Sequence, residues 1–296
     1  MTSRVTLGRA HRKQFDTRPD YTGRFFRWMR LILLTFVGVV FYLLPLWVVV
    51  VTSFKPLGEA IRLDMSLPQD WAIVDNYRTV FIDGRFPLAF ANSLFITVTS
   101  VTVLILVGSF AAWAFGRSKS RTMTVIYYIA VFSLLLPTAI VPEIFLMQQL
   151  HIDGTRLALI FFTVGTRLGL VIFLITGFVR TVPKSIEEAA LVDGASKFQV
   201  FYRVVFPLLS PILFTVGIIL VIFTWNDFFG ALFLLRGQSR QTLPLSLLQF
   251  SEGSVKQVPW NLSFAHIVLV SVPLILVYVF GQKRLLSGLM SGAVKG

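Results

Sequence analysis

Long apolar runs alternate along the chain with short polar segments. Six of these runs are long enough to cross a bilayer, and they cover residues 31–53, 93–115, 122–147, 157–179, 209–234 and 264–281. A helix of about 23 residues is about 34 Å long, which exceeds the roughly 30 Å thickness of the hydrocarbon layer. The pattern therefore predicts an all-α membrane protein, with six transmembrane helices forming one domain over residues 31–281.

Positive charge is distributed unevenly among the segments that join these runs. The sequence has 27 Lys and Arg against 14 Asp and Glu, a net charge of +13. With the amino terminus inside, 18 of the basic residues fall in cytoplasmic segments and 8 in external ones. Because cytoplasmic loops are enriched in Lys and Arg, we expect residues 1–30 and 282–296 to be cytoplasmic tails. The basic residues are therefore explained by the orientation of the chain in the lipid membrane. No nucleic-acid partner is expected.

One polar segment, residues 185–207, has an amphipathic pattern of its own and falls on the cytoplasmic side. Ser185 and Glu188 have the spacing of a capping box, which predicts the start of a helix. Gly194 predicts a sharp turn because glycine tolerates positive φ, and a second helix is expected from Ser196. The apolar stripe of that second helix consists of Phe198, Phe201, Tyr202 and Val205. The pattern favours docking to a partner, and the alternative is a loop that folds back on the membrane surface.

The same segment resembles the signature loop of ABC importer permeases. That loop reads Glu-Ala-Ala, three residues, Gly, nine residues and Ile-x-Leu-Pro, and this chain matches it at residues 188–190, Gly194 and residues 204–207, with Val and Phe replacing Ile and Leu. The resemblance implies a type I ABC importer permease fold, in which this segment is the coupling helix in a cleft of an ATPase subunit. The residues implied to couple to the ATPase are Glu187, Glu188, Ala189, Ala190, Asp193, Gly194, Phe198 and Pro207.

Three acidic or basic residues other than histidine lie inside the predicted spans. A charge in hydrocarbon costs about 2.5 to 3.5 kcal/mol on insertion scales, so Glu143, Arg167 and Asp227 are expected to face the bundle interior, a cavity or one another. Arg167 and Asp227 have opposite charges at comparable depth, and we expect them to pair. Pro137 and Pro142 predict a kinked third span, which either lines a cavity or serves helix packing alone.

The stretch Trp225-Asn226-Asp227 combines groups that bind sugars, since an indole stacks on a sugar face while amide and carboxylate groups bond to hydroxyls. It also resembles the Trp-Asn-acidic-Phe stretch of sugar-importer permeases. The translocation pathway is therefore predicted to include Glu143, Arg167, Trp225, Asn226 and Asp227. The alternative is an interfacial anchor at Trp225, with Asn226 and Asp227 bonded only to neighbouring helices.

Other stretches resemble maltose-type permeases. The ending Gly-Ala-Val-Lys-Gly at residues 292–296 is similar to the carboxyl terminus of that subfamily, in which the tail contacts the ATPase pair. By the same resemblance, the external loop at residues 236–261 reaches into an external binding protein. The chain is thus identified as a member of the carbohydrate ABC transporter permeases, which implies a multi-pass subunit of a bacterial or archaeal plasma membrane.

The motifs of catalytic proteins are missing from the sequence. No Gly-x-x-x-x-Gly-Lys-[Ser/Thr] phosphate loop occurs, so we expect this chain not to hydrolyse ATP. It has no cysteine and only three scattered histidines, so neither a metal site nor a cofactor is expected. The implied partners are a second homologous permease, two ATPase subunits that bind ATP and Mg, an extracytoplasmic solute-binding protein and a carbohydrate. The alternative function is an ion-coupled secondary transporter in which Glu143 or Asp227 carries protons.

Overall fold

The computed structural model describes residues 21–248 and 258–293. The chain divides into two units, residues 1–48 and 49–296. The described part of the first unit comprises α1 (Tyr21–Gly38), a π-helical turn (Val39–Leu43) and the start of α2 (Leu44–Ser53). Helix therefore begins at Tyr21, earlier than the predicted span, while residues 1–20 of the predicted basic tail lie outside the described residues.

The second unit is helical, and no β-strand forms within residues 49–248 and 258–293. Its helices are α3 (Leu57–Ala60), α4 (Ile73–Ile82), α5 (Phe86–Arg117), α6 (Arg121–Phe132), α7 (Ile140–Gln149), α8 (Arg156–Val179), α9 (Lys184–Val192), α10 (Lys197–Val200), α11 (Phe206–Leu208), α12 (Ser210–Trp225), α13 (Phe228–Leu234), α14 (Leu243–Ser246) and α15 (Trp260–Ala293). Because α15 continues to Ala293, residues 282–293 of the predicted carboxyl-terminal tail are helical, and residues 294–296 lie outside the described residues.

The core of the second unit is built around α5, which packs along α8. All three apolar clusters of the core include residues of α5. Glycines of α5 face valines of α8: a Cβ added to Gly116 would lie 2.7 Å from Cγ1 of Val179, and one added to Gly108 would collide with Val171. The absence of a side chain at these two glycines therefore lets the two long helices approach closely.

Two of the six predicted spans are broken. α6 together with a 3₁₀ turn forms the segment Arg121–Leu135, and this segment meets α7 at 118°. Leu136 is extended, with ψ of 132°, because the ring of the following Pro137 disfavours helical backbone before it. The other predicted span divides at Asn226 and Asp227 into α12 and α13. The kink predicted from Pro137 and Pro142 is therefore present, whereas the break within residues 209–234 was not predicted.

The described helices are consistent with a protein that crosses the membrane several times. Four segments are long and apolar enough to do so, namely Phe26–Ser53, Phe86–Arg117, Arg156–Val179 and Trp260–Gln282. Two bent pairs also qualify if each pair is one span, namely Arg121–Leu135 with Ile140–Gln149, and Lys197–Leu208 with Ser210–Trp225. The fold is that of an all-α membrane protein with four to six candidate spans.

Candidate functional site

The predicted helix-turn-helix is present as α9 and α10. The chain turns at Gly194, whose φ is +87°, and the Gly194 amide donates to the Leu191 carbonyl at 3.1 Å. The next amide, from Ala195, donates to the Ala190 carbonyl at 3.0 Å. No neighbouring heavy atom would lie within 4 Å of a Cβ at Gly194, so backbone conformation rather than space favours glycine there.

The capping of these two helices differs from the prediction. α9 begins at Lys184, its N-cap is Pro183, and no side chain caps it, so the predicted capping box of Ser185 and Glu188 is wrong. A capping box does form at α10, where the Ser196 hydroxyl accepts from the Gln199 amide and the Gln199 side chain accepts from the Ser196 amide. Glutamine fills the role of glutamate in this motif, which fixes the start of the second helix.

The α9–α10 pair presents a mixed apolar and acidic face to its surroundings. Its exposed residues include Glu188, Ala189, Asp193, Val192 at 87% exposure and Phe198 at 68%, and Pro207 beyond α10 is also exposed. Ala190 is half-buried and packs against the core. The predicted apolar stripe is divided, since Phe201 and Val205 are buried while Phe198 and Tyr202 are exposed.

Glu187 is only 7% exposed, whereas the adjacent Glu188 is exposed. Its carboxylate accepts hydrogen bonds from Trp113 Nε1 at 2.9 Å and from Arg117 Nε at 2.8 Å, and Arg117 Nη2 lies 2.6 Å from Glu187 Oε1. Arg117 also donates to the Val182 carbonyl at 2.9 Å. Glu187 therefore attaches α9 to the end of α5, which corrects its grouping with the exposed docking residues. We call Glu187, Trp113 and Arg117 the Glu187 cluster.

A second candidate site is a cavity of about 330 Å³ where α12 meets α13. Arg167, Asn226 and Asp227 line it together, so the structure brings three predicted pathway residues to one place. Asp227 Oδ1 accepts from the Gly230 amide at 2.8 Å and thereby caps α13. The Arg167 guanidinium lies 4.8 Å from the centre of the Phe223 ring. The expected direct ion pair of Arg167 with Asp227 is not formed within the described residues.

Two other predicted pathway residues do not line this cavity. Trp225 is 4% exposed, donates from Nε1 to the Val270 carbonyl at 3.3 Å and packs edge-on against Phe90. The Trp225 ring is therefore buried within this chain, and neither of its faces is exposed for the expected stacking on a sugar. Glu143 lies in the first turn of α7, and its buried Oε2 atom has no hydrogen-bond partner among the described residues.

The other end of α5 holds a second set of buried polar contacts. The Asn92 side-chain amide donates to the carbonyls of Ser239 at 3.0 Å and Gln241 at 2.8 Å. The Ser93 hydroxyl accepts from the Leu243 amide at 2.8 Å. These bonds fix the connection between α13 and α14 to the start of α5.

Sequence reasoning assigned no role to Trp113 or Arg117, and it noted Asn92 only within a stretch that resembles sugar-importer permeases. Trp113 and Asn92 lie inside or beside an apolar run, so hydropathy treats them as part of a span, and Arg117 contributes only to the count of basic residues. The signal that could have found Asn92 is chemical, because an amide at the start of a buried helix requires hydrogen-bond partners.

Comparison with known proteins places this chain among transport permeases. The family model described as "Binding-protein-dependent transport system inner membrane component" matches residues 104–290, a range that includes α9, α10 and the cavity at Asp227. The chain is 32% identical over 268 residues to the probable starch degradation products transport system permease protein AmyC of Thermoanaerobacterium thermosulfurigenes, covering 89% of this chain and 96% of AmyC. It is 30% identical over 258 residues to the melibiose/raffinose/stachyose import permease protein MelC of Bacillus subtilis, covering 86% and 92%.

The fold is also similar to that of a solved transporter. A crystal structure of a bacterial ABC transporter involved in the import of the acidic polysaccharide alginate has a chain that superposes with a TM-score of 0.79 at 24% identity, covering 90% of this chain and 98% of that one. The family model matches well over half of the sequence, and the relatives match nearly end to end. This multi-pass protein of the bacterial plasma membrane therefore belongs to the family of binding-protein-dependent transport system inner membrane components.

Proposed function

We propose that this chain is one of two permease subunits of an ATP-driven carbohydrate importer. It forms half of the translocation pathway and works with a second permease, two ATPase subunits and an extracytoplasmic binding protein. The observation that carries the proposal is the exposed α9–α10 pair, which has the spacing of the importer signature loop and turns at Gly194. ATP-Mg binds to the partner subunits, and this chain is a non-catalytic membrane subunit without a cofactor of its own.

The carbohydrate substrate is supported by the relatives and by the cavity at Asp227. AmyC and MelC are named for starch degradation products and for melibiose, raffinose and stachyose. The cavity presents the Asn226 amide, the Asp227 carboxylate and the Arg167 guanidinium, which can bond to hydroxyl groups. A volume of about 330 Å³ in one chain is compatible with part of an oligosaccharide path shared with the second permease.

Coupling to the ATPase is assigned to the exposed face of α9–α10. Glu188 and the exposed Val192 lie one helical turn apart on the same face of α9, which suits a cleft with an apolar wall and a basic residue. The charge distribution supports a cytoplasmic position for this face and for both termini. ATP binding closes the ATPase pair, moves α9–α10 and rocks the helices from an inward-facing to an outward-facing arrangement.

Purification and reconstitution test the proposed function. We expect the chain, solubilised in mild detergent, to co-purify with a second permease and an ATPase that mass spectrometry identifies. In proteoliposomes supplied with the binding protein, uptake of radiolabelled raffinose or maltotriose is expected to require ATP. Uptake that is driven by a proton or sodium gradient without ATP would contradict the proposal and favour the ion-coupled alternative, in which Glu143 or Asp227 carries protons.

Glu188→Ala tests the docking role directly. We expect normal expression and assembly but loss of coupling between ATP hydrolysis and transport, because removing one partner of a buried charge pair costs about 2 to 5 kcal/mol. The measurement is the number of sugars imported per ATP hydrolysed in proteoliposomes. Lys119→Ala is the matched control, since Lys119 is exposed beyond the end of α5 and makes no ion pair among the described residues. Wild-type coupling in Glu188→Ala would refute the docking role.

A further inference from the structure

Buried polar contacts fasten both ends of α5 to other parts of the chain. At its carboxyl end, the Glu187 cluster holds α9, the first helix of the proposed docking pair. At its amino end, Asn92 and Ser93 hold the connection between α13 and α14. One helix therefore contacts both the proposed docking element and the loop at the opposite end of the bundle.

The contact with α9 is strong for a physical reason. The Glu187 carboxylate is nearly excluded from solvent and accepts bonds from an indole and a guanidinium. Charge-assisted hydrogen bonds are roughly twice as strong as neutral ones, and a buried carboxylate that loses its partners pays its desolvation cost uncompensated. Because Arg117 also holds the Val182 carbonyl just before α9, a displacement of α9 away from α5 would break several bonds at once.

The contact at the other end is equally specific. Asn92 is buried, and its amide group donates to two backbone carbonyls, those of Ser239 and Gln241. Replacing Asn92 by an apolar residue would leave both carbonyls without these donors. The loop is therefore bonded to the first turns of α5, in addition to the bonds of Arg236 and Arg240 with the Gly154 carbonyl before α8.

Between the two attachments α5 is a single uninterrupted helix, Phe86–Arg117. The rise of 1.5 Å per residue puts Asn92 and Arg117 about 37 Å apart along the axis. The glycine contacts with α8 at Gly108 and Gly116 support it from the side. By contrast, the chain is broken between α6 and α7 and between α12 and α13, so those segments can bend where α5 cannot.

We propose that Glu187 and Asn92 are positioning residues of one mechanical connection, through which α5 transmits the movement of α9 to the loop of residues 236–242. The inference rests on the proposed function, because it takes the ATPase as the source of that movement. When ATP binds on the α9 side, α5 moves as a unit and the loop at its far end changes its exposure. The exposure of this loop, which faces the binding protein, therefore depends on the nucleotide state of the ATPase.

The native chain contains no cysteine, so one reporter can be introduced without background labelling. Gln238→Cys places a thiol on an exposed residue of the loop, next to the carbonyl that Asn92 holds. The complex of permeases and ATPases is purified with this reporter, and its rate of labelling by a charged maleimide is measured without nucleotide and after trapping with ATP and vanadate. We expect the ratio of the two rates to differ from one by severalfold in the otherwise unchanged complex.

Breaking either attachment is expected to return this ratio to one. The variants are Glu187→Gln at the α9 end and Asn92→Ala at the loop end, alone and together. Two residues that contact opposite ends of α5 and share no partner normally have additive effects on stability. If they act in series on one connection, the labelling ratio is one in both single variants and in the double variant, while their effects on the thermal midpoint add. An effect on the ratio that merely follows the loss of stability would indicate a purely structural role.

Controls separate this inference from the proposed function. Lys119→Gln removes a positive charge near Arg117 without touching the Glu187 cluster, and Asp64→Asn changes a polar contact outside α5, so both are expected to keep the original ratio. If Glu187→Gln or Asn92→Ala keeps the labelling ratio of the reporter complex, the proposed connection through α5 is wrong. It is also wrong if the reporter complex hydrolyses ATP but its labelling ratio is one. A purified complex that neither contains an ATPase nor hydrolyses ATP would instead overturn the proposed function.

Discussion

Gly108 lies in α5 directly against Val171 of α8. A Cβ there would collide with the Val171 side chain, so a larger residue must push the two helices apart. We expect Gly108→Leu to lower the free energy of unfolding by about 1 to 3 kcal/mol, the usual cost of overpacking a well-packed core. The measurement is the thermal midpoint of the protein in detergent, compared with that of the unchanged chain.

Gly177 is the matched control for this prediction. It lies in α8, is exposed, and has no atom within 4 Å of the position of a Cβ. Gly177→Leu is expected to leave stability unchanged or to raise it slightly, because glycine disfavours helix by about 1 kcal/mol. Equal destabilisation by both substitutions would show that helix contact at Gly108 is not the cause.

The stability of the loop before α4 is expected to depend on pH because of Asp64. Hydrogen bonds from the buried Lys55 ammonium and from Ser66 lower the pKa of Asp64 from 3.8 to about 2. Because the folded-state pKa lies below the unfolded one, the bond stabilises the loop above about pH 4 and this stabilisation is lost as the pH falls towards 2. We expect pepsin to cleave residues 54–72 slowly at pH 4 and progressively faster towards pH 2.

Asp64→Asn checks that the carboxylate is responsible. It removes the titrating group, so this variant is expected to be cleaved faster than the unchanged chain at pH 4. The ratio of the two rates, in which the pH dependence of pepsin itself cancels, is expected to fall towards one as the pH falls to 2. Mass spectrometry of the fragments assigns the cleavage to the loop. A pH profile that is the same with and without Asp64 would mean that another group controls it.

Adjacent glutamates show how far single residues could be predicted. The spacing of Glu188, Ala189 and Ala190 identified the exposed segment from the sequence alone. The same spacing could not predict that Glu187 is buried. The hydrogen-bond donors to its carboxylate, Trp113 and Arg117, lie about 70 residues earlier in the chain. A pairing of that kind depends on tertiary packing, which local pattern does not report.

At the scale of elements, α13 depends on its cap. Asp227 Oδ1 accepts from the Gly230 amide, and a Cβ on Gly230 would collide with the Asp227 side chain. Asp227→Ala is expected to lower the free energy of unfolding by about 1 kcal/mol, the typical cost of losing an N-cap. Asp227→Asn retains an acceptor oxygen, so it should keep most of that stability while removing the charge from the cavity.

The comparison of these two variants separates structure from transport. If both reduce sugar uptake while only Asp227→Ala lowers the thermal midpoint, the charge acts in the cavity and the oxygen acts as the cap. If Asp227→Asn imports sugar at the normal rate, the charge has no part in the pathway. Uptake of radiolabelled raffinose in proteoliposomes and the thermal midpoint in detergent are the two measurements.

Elements with uniform hydropathy were predicted well, and broken ones were not. The runs at residues 93–115 and 157–179 correspond to α5 and α8, which extend beyond the predicted bounds. The run at residues 122–147 is equally apolar, but the chain reverses direction near Pro137. Hydropathy records how apolar a run is and carries no information about its direction. Pro137 and Pro142 indicated a kink, whereas the angle of 118° depends on packing against other helices.

At the scale of the whole molecule, the orientation in the membrane is the clearest prediction. The proposed topology puts α9 in the cytoplasm and residues 236–242 outside. In intact cells, a membrane-impermeant maleimide is therefore expected to label Gln238→Cys, and to label Val192→Cys only after the membrane is permeabilised. Both residues are exposed, and the native chain has no cysteine to interfere. The reverse labelling pattern would overturn the assigned orientation.

The family and the number of apolar segments could be predicted from the sequence, since both depend on local pattern. The partners are a different matter. Val192 is 87% exposed and Phe198 is 68% exposed, which indicates an apolar surface that a partner could cover but does not identify the partner. Their docking role is predicted from resemblance and remains a proposal, because one chain does not contain the groups that would complete the contact.

The attachment of α5 at both ends has a consequence for how such chains can evolve. Each residue of a helix turns it by about 100° and lengthens it by 1.5 Å. One residue inserted between Asn92 and Trp113 would rotate Trp113 and Arg117 away from Glu187 while Asn92 kept its loop. Insertions and deletions are therefore expected before Phe86 or after Arg117. Among related chains, the number of residues between Asn92 and Trp113 should vary less than the identity of those residues.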